Sequence, residues 1–213
     1  MSRKWDWSKN LRKRTVNYSE CKMVDKFDKF EKRKRDVLSK LDKSHKNAWD
    51  ERIKSLSSKI NSLENYYTTS SCSGRAVLMI EQEKKDKGLF LSVYHDEISL
   101  RQLKEDLKLA LKKRKKIKFK LEPRILHVVC RSMEDAEEIY NKAKLAGWKK
   151  SGIIGTKNGF TAELGATDRL EFPIISGNKV LVDDEFLEIV VEESNRKLKK
   201  SWDKIEKLEK SIK

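Results

Sequence analysis

Residues 65 to 75 read NYYTTSSCSGR, two tyrosines followed by seven small residues and an arginine, in a chain otherwise rich in Lys, Glu, Leu and Ile. Ser70, Ser71, Cys72, Ser73 and Gly74 leave the backbone uncovered and supply hydroxyl and N–H donors, as a loop that cradles an anion or lies against a ligand requires. Arg75 adds a planar fork that fits a carboxylate or a phosphate. The same residues also read as an ordinary Ser/Gly turn ending at a solvated arginine. Cys72 could act as a thiol nucleophile with His95 or His127 as its base, and it could equally be a bystander thiol. In RILHVVC, alternation puts His127 with Ile125, Val129 and Arg131 on one face and Leu126, Val128 and Cys130 on the other. An outward imidazole there can accept a proton at neutral pH, on a sheet surface that Lys120 can share; the plain alternative is a satisfied, half-buried histidine. No metal site is expected, because Cys21, Cys72 and Cys130 are far apart and no C-x-x-C or H-x-x-H occurs.

The elements that carry these residues follow from hydrophobic period. Phe27, Phe30, Val37, Leu38 and Leu41, and then Trp49, Ile53, Leu56, Ile60 and Leu63, have helical spacing, with a turn at LDKSHKN between them. AVLMI and LFLSVYH, joined by the charged turn EKKDKG, predict a β-hairpin. A helix at 99–112 carries Leu100, Leu103, Leu107 and Leu111, with Ser99 as its cap. KIKFKL alternates, so Ile117, Phe119 and Leu121 face a core, while Lys116, Lys118 and Lys120 make a row of ammonium groups on the other face. Glu122-Pro123 breaks that strand before RILHVVC, and MEDAEEIYNKAKLAG is an amphipathic helix closed by Gly147. Lys157-Asn158-Gly159 marks a hairpin between WKKSGIIGT and FTAELGA, and Ser176-Gly177-Asn178 another between LEFPII and KVLV. From Asp183 to Lys213 a long helix carries Phe186, Ile189, Val190, Leu198, Trp202, Ile205 and Leu208. Hairpin-joined strands in this number predict an α+β fold: a mixed, largely antiparallel sheet, flanking helices and a long C-terminal helix. Neither G-x-G-x-x-G after a strand nor G-x-x-x-x-G-K-[ST] occurs, so the fold is not expected to be Rossmann-like.

With 50 Lys+Arg against 34 Asp+Glu in 213 residues, the formal net charge is +16, and such a field attracts polyanions. The clusters KFEKRKR and KLALKKRKKIKFK together make a phosphate-contacting surface the natural expectation. No stretch approaches the roughly 18 apolar residues of a membrane span, and MSRKWDWSKN lacks a signal peptide's apolar region. The reading is a cytoplasmic protein with reduced thiols.

NYYTTSSCSGR, the His of VYHDE, FKLEPRILHVVCR, AGWKKSGI, LEFPI and ESNRKLKKSWDKIE together resemble the family of the third-step methyltransferase of wybutosine synthesis in tRNA. LDKSHKNAWDERI is similar to that family's opening motif, with Asn47 where a Gly is usual, and Arg124 stands where the family often has an aromatic. The resemblance runs from about Phe27 to Lys207. It implies methyl transfer from S-adenosyl-L-methionine to a ring nitrogen of the tricyclic base beside the anticodon of phenylalanine tRNA. The implied partner is that tRNA's anticodon stem-loop, with no membrane and no DNA. The implied site contains Ser70, Ser71, Cys72, Ser73, Gly74, Arg75, His95, Glu122, Pro123, His127, Cys130, Arg131, Ser151 and Gly152, with Asp42, Ser44 and Lys46. His127, Arg75 and Ser73 are the catalytic candidates, and the others, with Lys120, are expected to bind cofactor or substrate. The expected organisation is a basic extension over 1–26 and a single methyltransferase domain over 27–213. A non-catalytic tRNA-binding protein of the same fold is the alternative.

Overall fold

The computed structural model describes residues 29–39, 50–82, 88–156 and 159–212. The chain forms two compact units, Met1–Ser39 and Lys40–Lys213. Within the first, residues 29–38 form helix α1, and the Ser39 hydroxyl donates to the carbonyl of Asp36 at 3.2 Å. The turn expected at LDKSHKN lies outside the described residues, and with it Asp42, Ser44 and Lys46.

Among the described residues the second unit has four helices: α2 (Glu51–Ser62), α3 (Leu100–Leu111), α4 (Met133–Leu145) and α5 (Asp184–Ser211). Asp50, Ser99, Ser132 and Asp183 cap them, each accepting from a backbone N–H of the first turn. Ala146 is the C-cap of α4, and Gly147 follows it at φ +88, as expected of a glycine that closes a helix.

Among the described residues nine strands form two sheets, and every pairing is antiparallel. They are β1 (Tyr66–Cys72), β2 (Arg75–Ile80), β3 (Phe90–Tyr94), β4 (Ile117–Glu122), β5 (Ile125–Cys130), β6 (Gly152–Thr156), β7 (Gly159–Gly165), β8 (Leu170–Ser176) and β9 (Lys179–Val180). One sheet has the order β1-β5-β7-β6 and the other β3-β2-β4-β8-β9. The expected hairpins β2-β3, β6-β7 and β8-β9 are all present.

The small-residue run departs from its reading as a loop. Tyr66 to Cys72 is a strand paired along its length with β5, from Tyr66↔Cys130 to Cys72↔Ile125. Aromatic and β-branched residues at its start favour extended backbone. Ser70 to Cys72 are therefore ladder residues, not members of an anion-cradling loop.

Each sheet buries one face. Beneath the first lie Leu126, Val128, Cys130, Ala162 and Leu164, packed with Ile53, Leu56, Ile60, Ile139, Ile205 and Leu208 from the helices and with Trp148 just beyond α4. Beneath the second lie Ala76, Leu78, Ile117, Phe119 and Leu121, packed with Leu103, Leu107, Leu187, Val190 and Leu198. Thus α5 runs behind both sheets, and Trp202 touches both cores. The expected core positions Phe186 and Ile189 are instead outside it. Ile189 is 57% exposed and Phe186 lies edge-on to Phe172 at 5.4 Å, because the buried stripe passes through Leu187 and Val190. Of the row of ammonium groups, Lys118 meets Glu171 at 2.6 Å, and Lys120 meets Glu122 at 3.1 Å, a carboxylate it shares with Arg75.

One ribbon joins the sheets. Strand β1 pairs with β5 in the first sheet, β2 pairs with β4 in the second, and the two strands change sheet together, at Ser73-Gly74 and Pro123-Arg124. Gly74 is at φ +100, and a Cβ on it would stand 3.3 Å from the Glu122 carbonyl oxygen and 3.4 Å from the Arg124 nitrogen. A side chain would strain this backbone and push the two crossing chains apart.

Candidate functional site

On the open face of the first sheet three strands bring Ser70, His127 and Glu163 into one line. A bulge between Thr68 and Ser70 places Ser70 opposite His127, and His127 is opposite Glu163 on the next strand. Ser70 Oγ lies 2.6 Å from His127 Nδ1, and His127 Nε2 lies 3.1 Å from Glu163 Oε2. An ionised carboxylate only accepts, so Nε2 carries the hydrogen and Nδ1 of the neutral ring accepts from the serine hydroxyl. A hydroxyl that donates to a histidine held from behind by a carboxylate can receive a proton from a third molecule and pass its own inward. Gly152, opposite Glu163 on β6, leaves open space beside this line, since a Cβ there would meet nothing within 4 Å.

The second feature lies at the ribbon crossing. The Asp50 carboxylate, 9% exposed, accepts from the Ser73 N–H at 2.8 Å through Oδ2 and from the Arg52 N–H at 3.2 Å through Oδ1. His95 Nδ1 stands 3.9 Å from Asp50 Oδ2 and is buried, with no hydrogen-bond partner among the described residues. Beyond the crossing, Arg75 Nε donates to Glu122 Oε2 at 2.8 Å, Lys120 Nζ meets Glu122 Oε1 at 3.1 Å, and the Arg75 guanidinium lies 5.1 Å from the Phe90 ring centroid. Burial alone would raise the Glu122 carboxyl, but the hydrogen bonds and charges of Arg75 and Lys120 outweigh it and hold Glu122 below the usual carboxylate range. Cys72, opposite Ile125 beside the Ser70–His127 pair, feels the charges of Arg75, Asp50 and Glu122. Burial pushes its thiol up, against smaller opposing effects of the Gly74 backbone hydrogen bond and Arg75, so it stays protonated at neutral pH. A thiol of that kind is a poor nucleophile, and the nearby imidazole is already engaged with Ser70.

The sequence-derived residues therefore divide. Ser70, Cys72, His127 and Gly152 meet at the open face, and Arg75, Lys120, Glu122 and His95 flank the crossing. Gly74 and Pro123 shape the crossing itself. Ser73 is fully buried, so its hydroxyl is out of a solute's reach and its backbone N–H holds Asp50 instead. Ser71 is opposite Leu126 on the helix-covered face. Cys130 belongs to the core, where burial pushes its thiol up to about 12, because it alternates with His127 on β5 and shares the face of Leu126 and Val128. Arg131, four residues beyond His127, is bound to Glu64 at 3.2 Å. The Ser151 hydroxyl closes the turn into β6, donating to the Trp148 carbonyl at 2.8 Å and accepting from the Gly165 N–H at 3.3 Å.

Two residues were not singled out from the sequence. Asp50 carries the signal of an N-cap, an aspartate just before the periodic run of α2, which points to a structural role. Glu163 is the one acid in FTAELGA, and only the register of β5 with β7 shows that it faces His127.

An α+β protein of two antiparallel sheets, with a hydroxyl–imidazole–carboxylate line on an open face beside a charged crossing, stands outside the Rossmann class and carries the means to move a proton. Residues 32–213 match the model of the Methyltransferase TYW3 family, and the chain belongs to that family. It is similar to the tRNA(Phe) 7-((3-amino-3-carboxypropyl)-4-demethylwyosine(37)-N(4))-methyltransferase of Archaeoglobus fulgidus, with 34% identity over 72% of this chain and 77% of that one. It is also similar to an enzyme of the same name, numbered 1, from Pyrococcus horikoshii, with 34% identity over 87% of this chain and 95% of that one. Among solved structures, the PH1069 protein of Pyrococcus horikoshii superposes with a TM-score of 0.79 at 34% identity, covering 88% of this chain and 97% of that chain.

Proposed function

We propose that the protein transfers a methyl group from S-adenosyl-L-methionine to N4 of 7-(3-amino-3-carboxypropyl)-4-demethylwyosine at position 37 of phenylalanine tRNA, in the cytoplasm. The observation that carries this reading is the Ser70–His127–Glu163 line, because a demethylated ring nitrogen must lose a proton as it gains a methyl group. When bound, the cofactor supplies a methyl already activated on a sulfonium centre. The residues at the crossing fit such a molecule: His95 Nδ1 is a buried polar atom without a partner, Asp50 offers a carboxylate to cationic groups, and Cys72 is small enough for close approach. His95, Asp50 and Cys72 would hold it, together with Asp42, Ser44 and Lys46 as the family resemblance implies.

The chain's own part in the reaction is to orient the base and take the proton. Ser70 Oγ accepts the proton from the ring nitrogen as its own hydrogen passes to His127 Nδ1, and the imidazolium formed is stabilised by Glu163. Residues 27–213 supply this chemistry, and the basic stretch 1–26 adds phosphate contacts to the anticodon stem-loop.

Calorimetric titration with S-adenosyl-L-methionine, followed by single-turnover methylation of phenylalanine tRNA lacking the N4 methyl, tests the reading. Cofactor binding with methylation at position 37 is expected. Binding of tRNA without cofactor binding would replace the enzyme by a tRNA-binding protein of the same fold.

A further inference from the structure

We propose that Arg75, Glu122 and Lys120 form a receptor for the α-amino-acid terminus of the substrate base, so that this cluster, and not the proton relay, decides which tRNA is methylated. The proposal rests on the function argued above, and it starts from a feature that proton transfer does not use. Arg75 spends only Nε on Glu122, and among the described residues both Nη groups remain without a partner. The three side chains are 29%, 24% and 25% exposed, which is enough to be reached and little enough to be shielded from bulk water. Phe90 lies against the guanidinium and limits its swing.

A 3-amino-3-carboxypropyl group ends in a carboxylate and an ammonium on one carbon. The Nη pair of Arg75 matches the carboxylate as a fork, and Lys120 adds a second positive charge. Glu122, kept ionised by its two neighbours, takes the ammonium. S-adenosyl-L-methionine carries the same amino-acid terminus, so the chemistry alone has two sources, and charge decides between them. The cofactor has a net positive charge and is favoured beside Asp50, whereas the base's terminus is a neutral zwitterion. That terminus suits a cluster of two cations and one anion. Asp50 is held by the Ser73 N–H, and Arg75 follows two residues on at the start of β2, so the two binding regions are neighbours along the chain at the crossing.

The test compares two substrates in the whole protein: phenylalanine tRNA carrying 4-demethylwyosine with the aminocarboxypropyl group, and the same tRNA without it. Single-turnover kcat/KM for wild type is expected to favour the first at least tenfold. In Arg75→Gln and in Lys120→Gln that ratio falls toward one, further in the arginine variant, with Arg75→Lys intermediate because it keeps the charge and loses the fork. The cofactor Kd, measured by calorimetry, stays within about twofold in all three. Unfolding midpoints establish that the variants are folded. A ratio unchanged in Arg75→Gln overturns the proposal, as does a cofactor Kd raised tenfold with the ratio intact, which would give the cluster to the methyl donor. If wild type methylates both tRNAs equally, the receptor fails and the proposed reaction stands; if it methylates neither, the reaction itself fails.

Discussion

If His127 takes the proton, Glu163 acts only through the imidazole, and that dependence can be measured. Glu163→Gln keeps the shape and can still accept from Nε2 through its amide oxygen, but it removes the negative charge behind the ring. Two unit charges about 4 Å apart interact by about 1 kcal/mol in water and about 4 kcal/mol at an effective dielectric near 20. Glu163 is 41% exposed and His127 29%, so the lower part of that range applies, about 1–2 kcal/mol, or a rate loss of about 5- to 30-fold. His127→Asn leaves an amide in place of the basic ring nitrogen and should cost about 10²- to 10⁴-fold. Ser70→Ala breaks the first link and should cost more than Glu163→Gln, since no other group at 2.6 Å feeds Nδ1. The assay is single-turnover methylation at saturating cofactor and enzyme. Once His127→Asn is present, adding Glu163→Gln should change nothing further. Equal losses in both backgrounds would mean that the carboxylate works elsewhere, and the relay would be refuted.

Cys72→Ala should keep methylation within about tenfold, about 1.4 kcal/mol, because a thiol held protonated has only to fit; loss of all turnover would restore the thiol as a reactive group. Lys112, Lys113, Arg114 and Lys115 form an exposed turn at the end of sheet 2 away from the crossing, and none has an ion-pair partner among the described residues. Replacing all four by Gln should flatten the log–log salt dependence of tRNA binding by about 3–4, at about 0.9 per phosphate contact on duplex, and an unchanged slope would remove this turn from the interface. Glu122 has its folded pKa lowered, so its contribution to stability is complete above the ordinary carboxylate value and is lost as pH falls through the folded value. Urea midpoints of wild type and Glu122→Gln should therefore differ at pH 6–8 and converge in acid, and a gap that widens in acid would contradict the ion pairs. Arg124→Ala should destabilise the fold by about 3–5 kcal/mol in urea unfolding, and a loss below about 1 kcal/mol would show that its buried contacts carry little.

Periodicity made most of the frame legible. The strict alternation of β4 and β5, the leucines of α3 and the turn glycines all act locally, where spacing records burial directly. The small-residue run was misread because Ser, Thr and Cys suit both loops and strands, and its state is settled by pairing with β5, more than fifty residues away. A separation of 36 residues from His127 hid Glu163. For Ser73 and Cys130 the residue type suggested chemistry while position decided otherwise: one hydroxyl is sealed inside the crossing and one thiol lies on the core side of a strand whose other side carries His127. Asp50 shows in the sequence only as an N-cap. An N-cap satisfies backbone donors, yet here the cap's second oxygen reaches Ser73, so one carboxylate starts a helix and fixes the strand crossing.

Arg124 shows how the crossing is held from below. It is fully buried, which for an isolated cation would be prohibitive. Its flat guanidinium lies 4.7 Å from the Trp148 ring centroid, so one face is covered as a ring would be. Its edge does what a ring cannot: Nη1 donates to Ser201 Oγ at 3.2 Å on α5, Nη2 donates to the Gly147 carbonyl at 2.9 Å at the end of α4, and Asp168 supplies a counter-charge at 3.8 Å. Burial pulls its pKa down to about 10, partly offset by Asp168, and it remains charged at neutral pH. The backbone of Arg124 is the segment that a Cβ on Gly74 would press against. The helix layer thus grips one strand of the crossing through a charged side chain, while Asp50 grips the other through the Ser73 N–H. With both strands fixed, the spacing between the relay on one sheet and the Arg75 cluster on the other becomes a property of the backbone, as a site that must hold two ligands in register requires.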